Sequence, residues 1–562
     1  MLIFPPVKCF FVNLGALDFM RSQGLLRKVW ILAVFSSCLA PIHAHSAEKN
    51  NNSPYLRLRQ PDFLTFDELQ KLGKDPTPGG VLGEKLKTFW NTPVISNEAY
   101  YRGVRPQNLE SPELGPYIRT VTWNIEKSLN MEDAIRVFSS DEKFHLLLNP
   151  LKAVDISQVT HLTNQRKKLA SADIILLQEM DLGVKRSGYI DASRDLAEAL
   201  NMNYAFAAEQ LEIDPVTLGL ETINFEEGDA DSEATDYYKA DPARYKGAFG
   251  CAVLSRYPIR SAEAFQLKSQ PYDWYHAEKL KPSYLEHARR HGTKLLFLNE
   301  ITREVKAGGR IYFRVDLAVP ELPGGTLTII NIHLEIKCLP EGREEQMREI
   351  LSYIRDIRNP VILAGDFNSA PTDISSTSVK RVVTRTAKNP TTWLSAGISL
   401  ITPHAMAINT SRGISNITKN LQDPTARHIA IVAPNHVRPM FDMIRDFRFS
   451  DGSAFDFRGD KKRSMGGKRG SLANSNQRDF KGFVTTFELR RPLVGIIGKY
   501  KLDWFFVKSN LLKSPDPDSA SYKLAPHFAE TLEDLNTSLK NQISDHHPMV
   551  MDIPLGEPAL EG

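Results

Sequence analysis

The apolar positions of this chain gather into short runs that stop at polar residues. Residues 361–364 read Val-Ile-Leu-Ala, and Gly365, Asp366 and Asn368 follow. Four consecutive apolar residues predict a strand covered on both faces. Gly365 lets the backbone turn or approach a ligand closely. Asp366 and Asn368, two residues apart, share one side of an extended chain. Residues 174–177, Ile-Ile-Leu-Leu, repeat the pattern and end at Gln178 and Glu179. A carboxylate placed straight after four aliphatic residues is costly unless paired, exposed or bound to metal.

Further strands are expected at 117–126, ending near Asn124, at 250–259 and, by alternation, at 310–319. A turn at Pro323, Gly324 and Gly325 leads into a strand over 326–335 with Leu327, Ile329 and Ile330 in the core. His333 and Glu335 share one face near its end. Residues 501–508 read as a strand opened by Asp503. Ser544, Asp545, His546 and His547 precede an apolar strand at 549–553. Helical spacing appears over 191–201 and over 341–358, with Met347, Ile350, Leu351 and Ile354 inward, and a helix is expected near 65–72. Strand, helix, strand across 326–364 predicts a layered α/β protein.

The chain has 562 residues, room for a large domain with insertions. With 42% hydrophobic and 24% charged residues it is globular rather than disordered. A net charge of +3 does not call for nucleic acid, so any basic binding surface has to be local. Lys461, Lys462, Arg463, Lys468 and Arg469 form such a run: a solvated loop, or one that touches phosphate. Residues 1–47 read as a leader. Within it 20–47 have signal-peptide anatomy: basic Arg21, Arg27 and Lys28, an apolar stretch at 30–39 and small residues at 44–47. The expectation is an exported protein, periplasmic or secreted, with a lipid-modified Cys38 as the second alternative. Residues 48–115 read as an N-terminal extension or tether, and 116–556 as the domain proper, with insertions near 205–246, 268–300 and 375–500. Beyond the leader, Cys251 and Cys338 are left to pair or to stay as buried thiols. No Cys/His spacing suggests zinc.

Carboxylates, amides and histidines recur at strand ends, where they suit a hard metal ion, a water and a phosphoryl oxygen. Each has an ordinary alternative: an Asx turn at Asp366, a surface Glu179, a structural His333, a capped loop at 544–547. Asp503 and His546 can form a pair in which the carboxylate orients the imidazole.

The pieces WNIEK, LLQEMD, GCAVLSRYP, NIHLE, LAGDFNSAP, LDWFF and SDHHP, in that order, resemble the endonuclease/exonuclease/phosphatase superfamily. That superfamily includes deoxyribonuclease I, abasic-site endonucleases, neutral sphingomyelinases and inositol polyphosphate phosphatases. The resemblance implies a two-sheet, four-layer α/β sandwich of deoxyribonuclease I type with long loop insertions, its site at one end where loops of both sheets meet. It implies that Asn124 and Glu179 belong to a metal site, with Glu179 the principal ligand of Mg²⁺, or of Mn²⁺, and Asp545 a further ligand. Asp366 aligns or activates water, and Asn368 holds phosphate or the transition state. His546, oriented by Asp503, contacts the scissile phosphate. His333 acts as general acid or phosphate ligand. Glu126, Glu335 and His547 lie nearby without an implied role. The function implied is an exported metal-dependent phosphoric ester hydrolase, a phosphodiesterase of nuclease or sphingomyelinase type. The alternatives are an inositol-phosphatase-like phosphomonoesterase or a non-catalytic binding protein on the same fold. The substrate implied is a nucleic acid or a phospholipid headgroup. The stretch PYDWYH at 271–276 is the candidate for peripheral membrane contact. Oligomeric state stays open.

Overall fold

Two sheets carry the apolar runs. In the computed structural model the described residues are 54–112, 114–153, 155–222, 236, 238–279, 304–370, 437–456, 476–479, 482–488, 499–509 and 529–556. The leader, the basic run at 461–469 and most of the insertions expected at 268–300 and 375–500 lie outside them. In chain order the strands are β1 (Leu58–Arg59), β2 (Val94–Ser96), β3 (Leu109–Ser111), β4 (Gly115–Asn124), β5 (Ile174–Leu182), β6 (Asn203–Glu212), β7 (Ala248–Ser255), β8 (Ile259–Gln266), β9 (Lys306–Gly308), β10 (Ile311–Ala318), β11 (Thr326–His333) and β12 (Val361–Asp366). After them come β13 (Arg478–Asp479), β14 (Gly482–Phe483), β15 (Phe487–Glu488), β16 (Lys499–Tyr500), β17 (Asp503–Lys508), β18 (Ala529–Thr531) and β19 (Met549–Pro554).

The larger sheet runs β1-β2-β6-β7-β5-β4-β19-β18, with β3 on β4 and β9 on β6; the smaller runs β17-β12-β11-β10-β8. Each contains one parallel pair, β4 with β5 and β11 with β12. Helices Ile156–Ala170 and Pro340–Ile354 supply the crossovers such pairs need. Met347, Ile350, Leu351 and Ile354 are buried, as their spacing predicts.

Three cores separate four layers. Ile174, Leu176 and Val253 of one sheet meet Ile329, Ile362 and Phe505 of the other. Leu177 and Leu254 face outward onto helices through Val137, Leu162 and Leu196. Ile330, Leu363 and Phe506 do the same against Met347, Leu351 and Phe441, the last from helix Arg438–Asp446. Neighbouring apolar residues serve opposite cores, so these strands read as unbroken runs. The chain is therefore the two-sheet, four-layer α/β sandwich that the motifs implied.

Each fully buried Ile, Leu or Phe contributes about 1.5–3 kcal/mol, against about 1 kcal/mol net for a hydrogen bond. Apolar contact therefore holds the sheets together. Direction comes from polar groups between them. Asn331 Nδ2 donates to the carbonyls of Leu177 and Ala252 at 3.0 and 2.9 Å, and Gln178 Nε2 donates to Asn331 Oδ1 at 2.7 Å.

Register puts the polar strand ends in one place. Asn124 pairs with Gln178, while His333 pairs with Asp366 and Asp366 with Asp503. His546 precedes β19, which begins opposite Thr122 near the end of β4.

Two expected boundaries move. The described part of the region expected as a tether at 48–115 joins the fold: β1 and β2 extend the larger sheet, with β2 on β6. Two-residue and three-residue strands carry too little alternation to be seen in sequence. The helix expected near 65–72 is Phe66–Lys74, started by a capping box between Thr65 and Glu68. The insertion expected near 205–246 begins later, because 203–212 is β6, buried along its whole length. Cys251 and Cys338 are not joined: both are buried, donating to Glu209 Oε1 at 3.4 Å and to the Glu335 carbonyl at 3.2 Å.

Gly365 has φ +137°, and a Cβ there would stand 2.1 Å from the Ile332 carbonyl oxygen. Gly365→Ala is expected to destabilise the protein by at least about 2 kcal/mol in denaturant unfolding. A loss below about 0.5 kcal/mol would contradict this close packing of β12 on β11.

Candidate active site

Local backbone devices aim the side chains. In β5, Leu177 pairs with Ala252 and Met180 with Gly250, so Gln178 and Glu179 together oppose Cys251 alone. This is a β-bulge, which re-aims side chains beside functional sites. It turns Gln178 into the joint between the sheets and Glu179 to the strand ends. Glu179 has φ +59°, a left-handed conformation costing about 1–3 kcal/mol for a non-glycine residue. Glu126, Lys127 and Ser128 follow β4 with φ of +46°, +55° and +55°. Glu126 N–H donates to Asn124 Oδ1 at 3.0 Å, and Glu126 Oε2 accepts Asp545 N–H at 3.0 Å. Ser544 Oγ donates to the Asn124 carbonyl at 2.7 Å and accepts His546 N–H at 3.0 Å. The His546 loop is thus stitched to the end of β4.

Asp366 lies at the centre and is buried. Asn124 Nδ2, from the other sheet, donates to its Oδ2 at 3.1 Å. Nε2 of His546 and of His333 stand 3.7 and 3.9 Å from the same oxygen. His546 Nδ1 is 2.8 Å from Asp503 Oδ2. His333 Nε2 is also 3.8 Å from Glu179 Oε1. Asp366 Oδ1 accepts Asn368 N–H at 2.7 Å, and Asn368 Nδ2 donates to the Leu334 carbonyl at 3.0 Å.

Charge divides these groups. Burial alone would lower the His546 imidazole; Asp503 and Asp366 instead raise it well above its ordinary value, so it is a cation near neutrality. Burial raises the Asp366 carboxyl, with Asp503 adding to it and His546 and His333 opposing. Burial would raise Glu179 as well, but His333, Lys127 and His546 outweigh it and hold that carboxyl below the usual range. Glu179 is therefore the ionised acid of the site and Asp366 the one better able to take a proton.

The structure brings Asn124, Glu179, His333, Asp366, Asn368, Asp503 and His546 to one place. Asp545 sits on the adjoining loop, its carboxylate 3.5 Å from Ser544 Oγ. Glu179 offers carboxylate oxygens, which fit a hard divalent cation that keeps water in its remaining positions; Asn124 lies beside it, with Nδ2 on Asp366 and Oδ1 on Glu126 N–H. Among the described residues, three other groups bring possible ligand atoms within 4.8 Å of one another: Asp366, Asp503 and His546; Glu209, Cys251 and His333; and Glu488, Glu533 and His547. In the first, His546 Nδ1 is already engaged by Asp503 Oδ2, and in the second burial and Glu209 push the Cys251 thiol up.

Sequence reasoning missed the support behind His333. Its Nδ1 lies 3.0 Å from Glu209 Oε2 and 2.7 Å from Arg310 Nη1, and Arg310 Nη1 donates to Glu209 Oε2 at 2.9 Å. Glu335 Oε2 is 3.4 Å from Arg310 Nε and accepts the Trp274 indole N–H at 2.9 Å. A signal was present: Glu209 is a carboxylate inside an apolar run, the same oddity that marks Glu179. Lys127, paired with Glu304, was missed too. The stretch 271–276 is corrected outright. Trp274 and Tyr275 are buried, and Tyr275 Oη donates to the Lys74 carbonyl at 2.7 Å. These two rings pack inward, while Tyr272 is half-buried and His276 exposed.

A profile of the Endonuclease/Exonuclease/phosphatase family matches residues 121–546, well over half of the chain. The chain belongs to this family. Among solved structures it is similar to an endonuclease/exonuclease/phosphatase from Beutenbergia cavernae DSM 12333, at 15% identity and a TM-score of 0.34, covering 79% of this chain and 72% of that one. A 3′-5′ exonuclease from Neisseria meningitidis shares 14% identity with a TM-score of 0.33, over 78% of this chain and 99% of its own. An AP endonuclease from Archaeoglobus fulgidus shares 12% with a TM-score of 0.32, over 78% and 99%. Comparison with curated proteins gives no match. As a family member the chain is a phosphoesterase in general terms, and identities this low carry no information on substrate.

The raised His546 imidazole stabilises the folded state. That contribution is complete below the unfolded value of about 6.5 and is lost as pH rises through the raised folded value. In Asp503→Asn the ring should titrate lower by NMR. The stability gap to wild type should be larger at about pH 6 than at about pH 9. An unchanged ring titration would refute the pairing.

Proposed function

We propose that the chain is an exported, metal-dependent phosphodiesterase that directs water onto phosphorus. The observation that carries this reading is the set around Asp366 Oδ2: Asn124 at 3.1 Å, His546 at 3.7 Å and His333 at 3.9 Å, beside an ionised Glu179. A phosphodiester is anionic and slow to hydrolyse, so a site must offset charge, place water and assist the leaving oxygen. Mg²⁺ or Mn²⁺, held by Glu179 with Asn124 and Asp545, would supply charge stabilisation at the phosphoryl group. Asp366 orients the attacking water and takes its proton. The His546 imidazolium, held by Asp503, faces a phosphoryl oxygen, and Asn368 supports the same group. His333, braced by Glu209 and Arg310, serves the leaving oxygen. Export rests on the signal-like residues 20–47.

Between the two diester classes, the nuclease reading is ahead. The stretch 271–276, the candidate for the membrane contact that a sphingomyelinase would need, has Trp274 and Tyr275 buried.

The test is hydrolysis of plasmid DNA, sphingomyelin vesicles and a phosphorylated inositol by the full chain, with and without EDTA. One substrate, DNA first, should be cleaved only with divalent metal. Asp366→Ala and Glu179→Ala should each lower that rate by ~10² or more. If no substrate is cleaved, or cleavage survives both EDTA and Asp366→Ala, the reading fails.

A further inference from the structure

Thr486 lies in the stretch 484–488, inside what sequence reasoning treated as the insertion at 375–500. It is fully buried. Its hydroxyl oxygen accepts two backbone N–H groups, from Leu502 and from Asp503, each at 3.0 Å. Its carbonyl accepts the N–H of His547 at 2.7 Å, and its own N–H donates to the Tyr500 carbonyl at 2.9 Å. The next residue, Phe487, forms a β-bridge with His546 and sets its ring edge-on to the imidazole, 5.0 Å between centroids. One residue thus grips the main chain at both halves of the Asp503–His546 pair, by its side chain on one strand and by its backbone on the other.

Two facts make that grip matter. First, β17 is the edge strand of the smaller sheet, and among the described residues no further strand pairs with its outer side. The N–H groups of Asp503 and Phe505 on that side are taken by side chains, Thr486 and Asn476. Second, the Asp503 carboxylate is held at one oxygen only. Oδ2 meets His546 Nδ1, and Oδ1 is buried with no hydrogen-bond partner among the described residues. With no second anchor on the carboxylate, its aim depends on where the main chain of Asp503 stands. A hydroxyl suits this place because its oxygen has two lone pairs and can receive both N–H groups.

We propose that Thr486 is a positioning residue: it presets the Asp503–His546 pair, and through it the imidazole that faces the phosphoryl group. This rests on the phosphodiesterase reading for its consequence in turnover, but not for its structural half. The experiment therefore reads both. In the full chain, Thr486→Val removes the hydroxyl at nearly constant shape, Thr486→Ser keeps it, and Thr486→Cys substitutes a weaker acceptor. The first readout is the low-field proton resonance of the His546 Nδ1–H shared with Asp503. The second is kcat and KM for a nitrophenyl phosphodiester with Mn²⁺, alone and in the Asp503→Asn background. Thermal unfolding confirms that each variant is folded.

The expected result is loss of the low-field resonance in Thr486→Val and its retention in Thr486→Ser. kcat should fall about tenfold or more in Val, with KM within about twofold, and should return to within about threefold of wild type in Ser. In Asp503→Asn the Val substitution should cost nothing further, because both changes act through one pair. Cys should fall between Ser and Val, and it carries the test if Val does not fold. Retention of the resonance and of kcat in Thr486→Val would overturn the proposal, as would an equal drop in kcat with and without Asp503. A wild type that cleaves no phosphoester, yet loses the resonance in Val and keeps it in Ser, would sink the functional reading and leave the positioning role standing.

Discussion

Two sheets held face to face by aliphatic side chains can slide, because apolar contact has no direction. Directed polar bonds stop them here, and the most deeply placed centre on one buried amide. Asn331, on the smaller sheet, binds two carbonyls of the larger sheet and receives Gln178 from it. Each of these bonds adds only about 1 kcal/mol net, but breaking one would strand a buried polar group at a cost of about 1–3 kcal/mol. That penalty makes sliding expensive in either direction. The site needs such a lock, since Asn124 and Asp366 come from different sheets and must stay at 3.1 Å.

With the sheets locked, electrostatics divides like residues into unlike roles. Glu179 and Asp366 are both strand-end carboxylates, yet one is held below the usual range and the other is raised above it. The difference lies in their company. Glu179 has His333, Lys127 and His546 around it, whereas Asp366 has Asp503 set against His546 and His333. Acids pushed apart in this way can serve as ion ligand and proton acceptor in one site. The bulge and the left-handed turn after β4 are the strained pieces that aim these groups, and strain of this kind persists only where the surroundings over-determine it.

The parts legible in the sequence were those with a strong local signal. Unbroken apolar runs ending in acids exposed β5 and β12, the helix of residues 340–354 showed its 3.6-residue spacing, and ordered motifs named the polar strand ends. Three kinds of feature were not legible. The strands of two or three residues at the sheet edge carry no periodicity, so the 48–115 region read as a tether. The strand at 203–212 is rich in alanine and holds a buried acid, which made it read as loop. Groups that act from behind the site, such as Glu209, Arg310 and Thr486, lie far away in the chain, and only the fold brings them in. The exposed look of residues 271–276 failed for the same reason: nothing local shows that Tyr275 would meet the carbonyl of Lys74.

The proposed divalent-ion site at the joined strand ends, led by Glu179, is tested most directly by Mn²⁺ binding to the full chain, followed by electron paramagnetic resonance in wild type and in Glu179→Gln. Wild type should take up Mn²⁺, and the folded variant should bind it at least about tenfold more weakly. Equal uptake by the two proteins, or none by the wild type, would contradict it.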